Sequence, residues 1–451
     1  MGQLASPRSP ASPSPAGMRT FLVVWAGQLV SITGTALTGF GLQVWVYLET
    51  GSVTRLALVS LAYALPAVLL SPLAGVVADR IDRRLAMLAA DALAGISTVA
   101  IAVLFFTGSL ELWHIYVLSG FGAVGNTLQT PAWMAAISLL VPKKHLGRAN
   151  GLVMTSEAVS IVVAPAAAGA LLATVGLGAV LLADVATFAV AVATLAFVRF
   201  PRPERLGSGR TPSALQDMTA GWRYLRERAG LLWLLLIYAG VNFVLAFTTV
   251  LIIPLIVSFA AAAEAGAVLS AAGIGMLVGS LVVSAWGGPR RRIPTIMGGI
   301  ALIGAFVVVS GLRPSLALIT TGTVLMMLAL PVVNAASQVI WQLKVPPAIQ
   351  GRVFSLRRMV AQAASPLAIV LAGPLADGVF EPLMTGESAV ADALGAAIGR
   401  GPGRGIAVMF LLSGLGTIAM AAAGWLHPRV RHLEAEIADQ IPDLPGAPPS
   451  G

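Results

Sequence analysis

The sequence contains no cysteine and very few charged residues. Without cysteine, disulfides, thiolate metal sites, iron–sulfur clusters and cysteine nucleophiles are all excluded. Only 10% of the 451 residues are charged, whereas about 25% is usual in a soluble protein, whose surface must be polar. Hydrophobic residues make up 57% of the chain, and the mean hydropathy is +0.88. Because the apolar residues fall in long blocks, the sequence indicates a protein that lies in a lipid bilayer.

Two further absences exclude other classes of membrane protein. An ATP-driven pump needs a phosphate-binding G-x-x-x-x-G-K-[ST] loop, and the sequence has no Gly-Lys pair. An intramembrane metalloenzyme needs clustered ligands, but the four histidines lie at predicted span ends or in loops and form no H-E-x-x-H motif. We therefore expect no enzyme activity, no metal and no cofactor. The histidines are His114, His145, His427 and His432.

The long apolar blocks predict an all-α integral membrane protein with twelve transmembrane helices in two halves of six. A helix needs about 20 apolar residues to cross the hydrocarbon layer, and its backbone groups are then bonded within the segment. The predicted spans are 20–48, 55–78, 85–107, 112–140, 149–173, 177–198, 230–258, 265–286, 293–311, 315–342, 354–380 and 405–427.

Composition also predicts the domain boundaries. The start of the chain is rich in Ser and Pro and has no apolar core, so it predicts a disordered tail and not a cleaved signal peptide. A basic amphipathic stretch, 214–228, predicts an interfacial helix within the central linker. The predicted parts are a tail 1–17, a six-helix bundle 18–198, a cytoplasmic linker 199–229, a second six-helix bundle 230–427 and a tail 428–451.

The net charge of +9 is explained by where the basic residues lie. If both termini are cytoplasmic, 24 of the 28 Lys and Arg residues fall in cytoplasmic segments, as the positive-inside rule requires. This predicts a multi-pass membrane protein with both termini on the cytoplasmic side. Basic loops of this kind contact anionic lipids, so we expect membrane lipids as partners and no nucleic acid. We also expect a monomer.

Two loops repeat at an interval of 204 residues. VPKKHLGRANG, from Val141 to Gly151, follows the fourth span, and VPPAIQGRVFS, from Val345 to Ser355, follows the tenth. The same interval relates Gly169 to Gly373. Such a repeat predicts two parallel halves related by an axis along the membrane normal, with a substrate path between them.

The loop GVVADRIDRR between spans two and three resembles a signature of the major facilitator superfamily, G-x-x-x-D-R-x-G-R-R. Asp82 stands where the signature has Gly. An acid near a helix end beside arginines can form charge-assisted bonds that hold one cytoplasmic arrangement; the alternative is that these charges only set topology. The matching residues of this predicted gating loop are Gly75, Asp79, Arg80, Arg83 and Arg84.

Within the superfamily the chain resembles the drug and siderophore exporters that include macrolide-efflux and enterobactin-exporter relatives. ADRIDRR, VPKKHLGRANG and LLADVATF carry this likeness, and GRGPGRGIAVMFLLSG resembles members from natural-product gene clusters. The resemblance implies proton-driven export, by alternating access, of a small amphipathic drug, siderophore or peptide-like natural product across a bacterial cytoplasmic membrane. Span five resembles the antiporter motif G-P-x-x-G-G, here with Ala164, Pro165, Ala168 and Gly169.

Three acids in the predicted spans are candidates for proton coupling or substrate binding, because a charge in a membrane is costly and usually functional. They are Asp91, Glu157 and Asp184. Asp91 is close enough to the cytoplasmic arginines to predict an ion pair. Glu157 lies in a helix that lines the central path by resemblance, which favours substrate or proton binding. For Asp184 the alternatives are a hydrogen bond to a neighbouring helix and a functional role.

Amide side chains within the spans are candidates for lining the cavity, although interhelical hydrogen bonding is their commoner use. Trp25, Trp45 and Trp133 are candidates for its apolar walls or for interface anchors. Other functions remain open: import or lipid flipping within the same superfamily, and a channel or a non-transporting scaffold outside it. The amides are Gln43, Asn126, Gln129, Asn242, Asn334, Gln338 and Gln362.

Overall fold

The computed structural model describes eight stretches of the chain, and within them it contains helices and connecting segments but no strand. The predicted disordered tail, except for Gly17, and most of the predicted linker lie outside these stretches. Of the predicted interfacial helix, only its last part is described, with a helix over 222–227. The described stretches are 17–80, 82–141, 145–198, 222–286, 288–289, 291–346, 349–387 and 389–440.

Twelve long helices account for most of these residues. They are α1 Met18–Thr50, α2 Val53–Arg80, α3 Arg83–Phe106, α4 Leu112–Leu140, α5 Leu146–Thr174, α6 Leu177–Phe197, α7 Ala229–Val257, α8 Ala262–Trp286, α9 Arg292–Leu312, α10 Leu316–Lys344, α11 Gln350–Leu375 and α12 Arg404–Leu426. Eleven of the helical segments are long and apolar enough to cross a membrane. The twelfth, α4, has 29 residues, which at about 1.5 Å per residue also exceeds the hydrocarbon thickness.

The long helices agree with the predicted spans, but the connection between α11 and α12 is more ordered than the sequence suggests. A π-helical turn, Ala376–Phe380, continues α11 into Glu381–Thr385, and a ten-residue helix, Ala389–Ile398, follows. Short helices also occupy Pro428–Arg431 and Leu433–Glu436 in the predicted tail. Segments this short are missed because they do not produce a span-length apolar run.

The two halves repeat the same packing. In the first half α1 packs on α5 and α6, and α4 packs on α2 and α3. In the second half α7 packs on α11 and α12, and α10 packs on α8 and α9. Each pair recurs six helices later, so the structure has the pseudo-symmetric two-bundle architecture that the repeated loops predict.

The repeated loops also share their backbone geometry. Val141, after α4, has φ −115° and ψ 130°, and Val345, after α10, has φ −107° and ψ 126°. The residues that precede α5 and α11 match as well: His145 has φ −113° and ψ 0°, and Ile349 has φ −122° and ψ 1°. Both pairs are 204 residues apart, so the sequence repeat is a repeat of structure.

Two seams join the halves: α5 packs on α8, and α2 packs on α11. Gly169 of α5 lies against Ala262 and Gly266 of α8, where a Cβ would overlap the backbone. Its counterpart Gly373 of α11 lies against Thr54 of α2 in the same way. We call the side with the α2–α3 connection and the C-terminal end of α12 the terminal face, and the other side the opposite face. Both glycine contacts lie near the opposite face.

Residues 428–440 fold back along the terminal face of the second half as a strap. Leu433 and Val430 are fully buried. Lys344, at the end of α10, is also buried and donates to the Glu434 carbonyl at 2.7 Å and to Asp439 Oδ1 at 2.7 Å. The strap therefore provides the polar partners of a lysine that α10 would otherwise leave buried and unpaired.

Candidate functional site

A central cavity of about 700 Å³ lies between the halves. Most of its wall comes from α1 to α5, and the second half contributes α7, α8 and α11. Aromatic and aliphatic side chains make up much of the wall. Two carboxylates, Asp91 and Glu157, also line it, whereas no Lys, Arg or His is among its described lining residues. The cavity is therefore an amphipathic space with acidic groups.

Asp91 lies in a ring of hydrogen bonds with two amides. Gln28 Nε2 of α1 donates to Asp91 Oδ2 at 3.0 Å, and Gln129 Nε2 of α4 donates to Oδ1 at 3.0 Å. Gln129 also donates to Gln28 Oε1 at 2.6 Å, which closes the ring. Asp91 is only 6% exposed. We call these three residues the amide–acid ring.

The expected ion pair between Asp91 and the cytoplasmic arginines is not what the described residues form. Arg84 donates instead to the carbonyls of Leu195, at 3.0 Å, and Ala196, at 2.8 Å, at the end of α6. Asp91 is seven residues further along α3, about 10 Å at 1.5 Å per residue. Arg84 therefore makes its hydrogen bonds at the end of α6, about 10 Å along α3 from Asp91. Asp91 contacts the amides of α1 and α4 instead.

Glu157 is the second acid of the cavity. It lies in the third turn of α5, and its side chain is exposed to the cavity. Within the described part of the chain it has no hydrogen-bond or ion-pair partner. Ser160, one turn further, is buried and donates to the Ile32 carbonyl of α1 at 3.3 Å. The Glu157 carboxylate is thus accessible to a ligand in the cavity.

Asp184 lies outside the cavity lining, although it is buried with 4% exposure. Thr98 of α3 donates to Asp184 Oδ2 at 2.9 Å, and Thr187 donates to Oδ1 at 3.4 Å. Of the two alternatives for this residue, the geometry matches a hydrogen bond between neighbouring helices, because Thr98 belongs to α3 and Asp184 to α6.

The predicted amides divide into two groups. Gln43, Asn126 and Gln129 line the cavity, whereas Asn242, Asn334 and Gln338 do not. The side chain of Gln362 lies outside the described residues. Trp25 and Trp133 line the cavity, as predicted for its apolar walls; Trp45 lies in a separate pocket near the opposite face.

Sequence reasoning underrated two groups of residues. Gln28 of α1 donates to Asp91, and Tyr63 of α2 also lines the cavity; neither residue is among the candidates that the sequence predicts. Arg357, in the second turn of α11, donates to Gln338 Oε1 at 2.8 Å and to Ser337 Oγ at 3.2 Å. A single polar residue in an apolar run shows no partner in the sequence, so only the fold identifies these contacts.

The predicted gating loop is described only in part. The surroundings of Gly75 and the side chains of Asp79, Arg80 and Arg83 lie outside the described residues. Asp82, which replaces the glycine of the signature, caps α3: its Oδ1 accepts from the backbone N–H groups of Arg84, at 2.9 Å, and Leu85, at 3.3 Å.

The residues of the antiporter-like motif lie in the α5–α8 seam. Ala164 and Ala168 are fully buried, and the Pro165 carbonyl lies against Gly266. Small side chains at these positions allow the two backbones to approach closely.

The chain is similar to known proteins over most of its length. The family model described as Major Facilitator Superfamily matches residues 24–369. Macrolide efflux protein A of Streptococcus pyogenes is 28% identical over 378 residues, which cover 80% of this chain and 90% of that protein. Multidrug efflux pump Tap of Mycolicibacterium fortuitum is 25% identical over 369 residues, with 78% and 90% coverage.

Solved structures show the same fold. A bacterial homologue of the human lysosomal transporter Spinster, in an inward-facing and unoccupied conformation, matches with a TM-score of 0.65 at 17% identity, covering 90% of this chain and 95% of that one. A bacterial homologue of the iron transporter ferroportin, in an inward-facing state, matches with a TM-score of 0.63 at 15% identity, with 90% and 99% coverage.

Proposed function

Since the chain belongs to the Major Facilitator Superfamily, we propose that this transporter exports a small amphipathic molecule from a bacterial cell by proton antiport. The observation that carries the proposal is the cavity, which combines aromatic walls, a free carboxylate at Glu157 and a second, buried carboxylate at Asp91. Relatives named as efflux proteins favour export over import.

The proposed orientation places the terminal face in the cytoplasm, because the basic loops lie on that face. The two seams then lie near the outer face and close the cavity on that side. The lining residues of the second half all lie in the parts of their helices nearer the opposite face, so we infer that the cavity opens towards the terminal face. In the proposed orientation this is the cytoplasmic side, from which an exporter must take its cargo.

The surroundings of the two acids support a separate role for each: Glu157 binds the cargo, and Asp91 carries the proton. Glu157 has no described partner and is exposed in the cavity, so it binds a cationic or hydrogen-bond-donating group of the cargo. Asp91 is held by two neutral amides and no described cation, so no fixed partner balances its charge and a proton can do so. Proton release from Asp91 to the cytoplasm accompanies cargo binding, and proton uptake from outside accompanies cargo release.

Transport in inside-out vesicles from cells that produce the protein tests the proposal. The probes are a macrolide and a permanently cationic dye, with an imposed proton gradient and a pH-sensitive dye inside the vesicles. We expect accumulation of at least one probe together with proton efflux from the lumen, and loss of both in the double variant Asp91→Asn with Glu157→Gln.

Two results would contradict the proposal. Accumulation of the probe only in right-side-out vesicles indicates import. Movement of a fluorescent lipid between leaflets, with neither probe transported, indicates lipid flipping. Vesicles without the protein are the control for passive entry of the probes.

A further inference from the structure

Asp377 joins the two halves at the opposite face. It lies in the π-helical turn after α11, and its carboxylate accepts three hydrogen bonds from the start of α2. Ser52 Oγ donates to Oδ2 at 2.7 Å, the Val53 N–H donates to Oδ1 at 3.0 Å, and the Thr54 N–H donates to Oδ2 at 2.9 Å. The partners are more than 320 residues apart in sequence and belong to different halves.

These bonds complete the N-terminal cap of α2. The first N–H groups of a helix have no partner within the helix and carry a partial positive charge. Ser52 Oγ satisfies the N–H of Arg55 at 3.3 Å, which is the usual bond of a serine cap. The two remaining N–H groups, those of Val53 and Thr54, are satisfied by Asp377, so a residue of the second half finishes a helix of the first.

The other seam has no such group at the equivalent position. At the interval of 204 residues, the counterpart of Asp377 is Ala173 of α5. The α5–α8 seam is formed there by close contacts of small residues such as Gly169 and Gly266. Van der Waals contact of this kind has no charge-assisted bond to break, so the two seams differ in what must be lost when they separate.

We propose that Asp377 is a gating residue: its carboxylate holds α2 against α11 while the cavity faces the terminal side, and it releases α2 each time the opposite face opens. This role rests on the proposed alternating-access export. In the released state, water reaches the N–H groups of Val53 and Thr54 from the open face. The charge-assisted bonds therefore favour the state described here over the state that is open at the opposite face. Their number and strength determine the ratio of the two populations.

Glu381 is the matched control for this role. It lies four residues after Asp377, and its carboxylate also accepts from backbone N–H groups, those of Gly403 at 3.2 Å and Ile406 at 3.0 Å. Both partners belong to the second half. Loss of its charge affects the packing of α12 but breaks no bond between the halves.

The experiment measures the distance between the halves at the opposite face. Because the chain has no cysteine, Thr107→Cys and Glu387→Cys introduce two exposed sites for nitroxide labels, one in each half. Double electron–electron resonance in lipid nanodiscs, without cargo or proton gradient, gives the populations of near and far separations. In Asp377→Asn we expect the ratio of far to near separations to rise about tenfold, since charge-assisted bonds are roughly twice as strong as neutral ones.

Two further variants make the result decisive. Glu381→Gln keeps the wild-type distances, even where its melting temperature falls. Gly373→Ala places a Cβ against the Thr54 backbone and shifts the distances in the same direction as Asp377→Asn. If Asp377→Asn does not fold, Ser52→Ala, which removes one of the three donors to Asp377, is compared with Glu381→Gln and should shift the distances in the same direction.

Wild-type distances in a folded Asp377→Asn, or an equal shift in Glu381→Gln, would overturn the gating role. If Asp377→Asn does not fold, wild-type distances in Ser52→Ala would overturn it in the same way. The measurement requires no transport, so failure of the vesicle assay with wild-type protein refutes proton-coupled export without changing the distances. The two proposals therefore fail separately.

Discussion

Asp91 of α3 accepts a hydrogen bond from the side-chain amide of Gln28 of α1 at 3.0 Å. Gln129 of α4 bonds the other carboxylate oxygen, so three helices of the first half meet at one acid. Each oxygen of the carboxylate receives one neutral N–H, and within the described residues no cation balances its charge. These surroundings support the proton-carrying role that we propose for Asp91.

Asp91→Asn tests this directly. We expect the variant to fold and to bind cargo, because asparagine has the same shape and can still bond one of the two amides. Transport driven by a proton gradient falls by about 100-fold or more, since a positioned proton-transfer group typically contributes at least about 100-fold to a reaction. Proton efflux and cargo uptake are measured together in vesicles, and Gln28→Glu, which adds a second acid to the same ring, changes the pH profile. Proton-driven transport at the wild-type rate in Asp91→Asn would assign the coupling to another residue.

Glu157→Gln is expected to weaken the binding of cationic cargo about tenfold, which corresponds to about 1.4 kcal/mol. The physical reason is that Glu157 faces the cavity without a described partner, so its charge is available to the ligand. Binding of neutral cargo changes little. Isothermal titration with the purified protein measures both affinities.

The control for Glu157→Gln is Glu49→Gln, which removes an exposed acid at the far end of α1, outside the central cavity. An equal loss of affinity for neutral and cationic cargo in Glu157→Gln would indicate a packing role instead of a charge role.

Asp184→Ala is expected to lower stability and to leave transport per folded molecule unchanged. The substitution leaves the Thr98 hydroxyl buried without this acceptor, which costs about 1–3 kcal/mol. Thermal unfolding in detergent measures the loss, and Asp184→Asn, which retains an acceptor, loses less. A variant with wild-type stability and no transport would show that Asp184 belongs to the coupling path.

The sequence predicts the helices and their symmetry well, because the bilayer requires long apolar runs and the duplication repeats its loops in register. It is a poor guide to which side chains bond to each other. The sequence position of Asp91 near the arginines predicts an ion pair, but Asp91 lies about two helical turns along α3 from Arg84. Arg84 donates to a carbonyl of α6 and does not pair with Asp91. Asp377 lies at a span end, where an acid is unremarkable in sequence. Its bond to Thr54 joins residues 323 positions apart, and no local pattern encodes such a contact.

Lys344→Met is expected to release the strap 428–440 from the terminal face. The lysine side chain is 5% exposed and bonds the strap through two backbone carbonyls and Asp439. Methionine fills much of the same volume but provides no donor, so these carbonyls lose their partner, at a cost of about 1–3 kcal/mol for each buried group left unsatisfied. Because Leu433 packs against Gly230 at the start of α7, a loosened strap also exposes that helix end.

Limited proteolysis followed by mass spectrometry should show faster cleavage within 433–440 in Lys344→Met than in the wild type. Glu436→Gln, an exposed position of the same strap, should cleave at the wild-type rate. Equal protection in Lys344→Met would mean that the apolar contacts of Val430 and Leu433 hold the strap without the lysine.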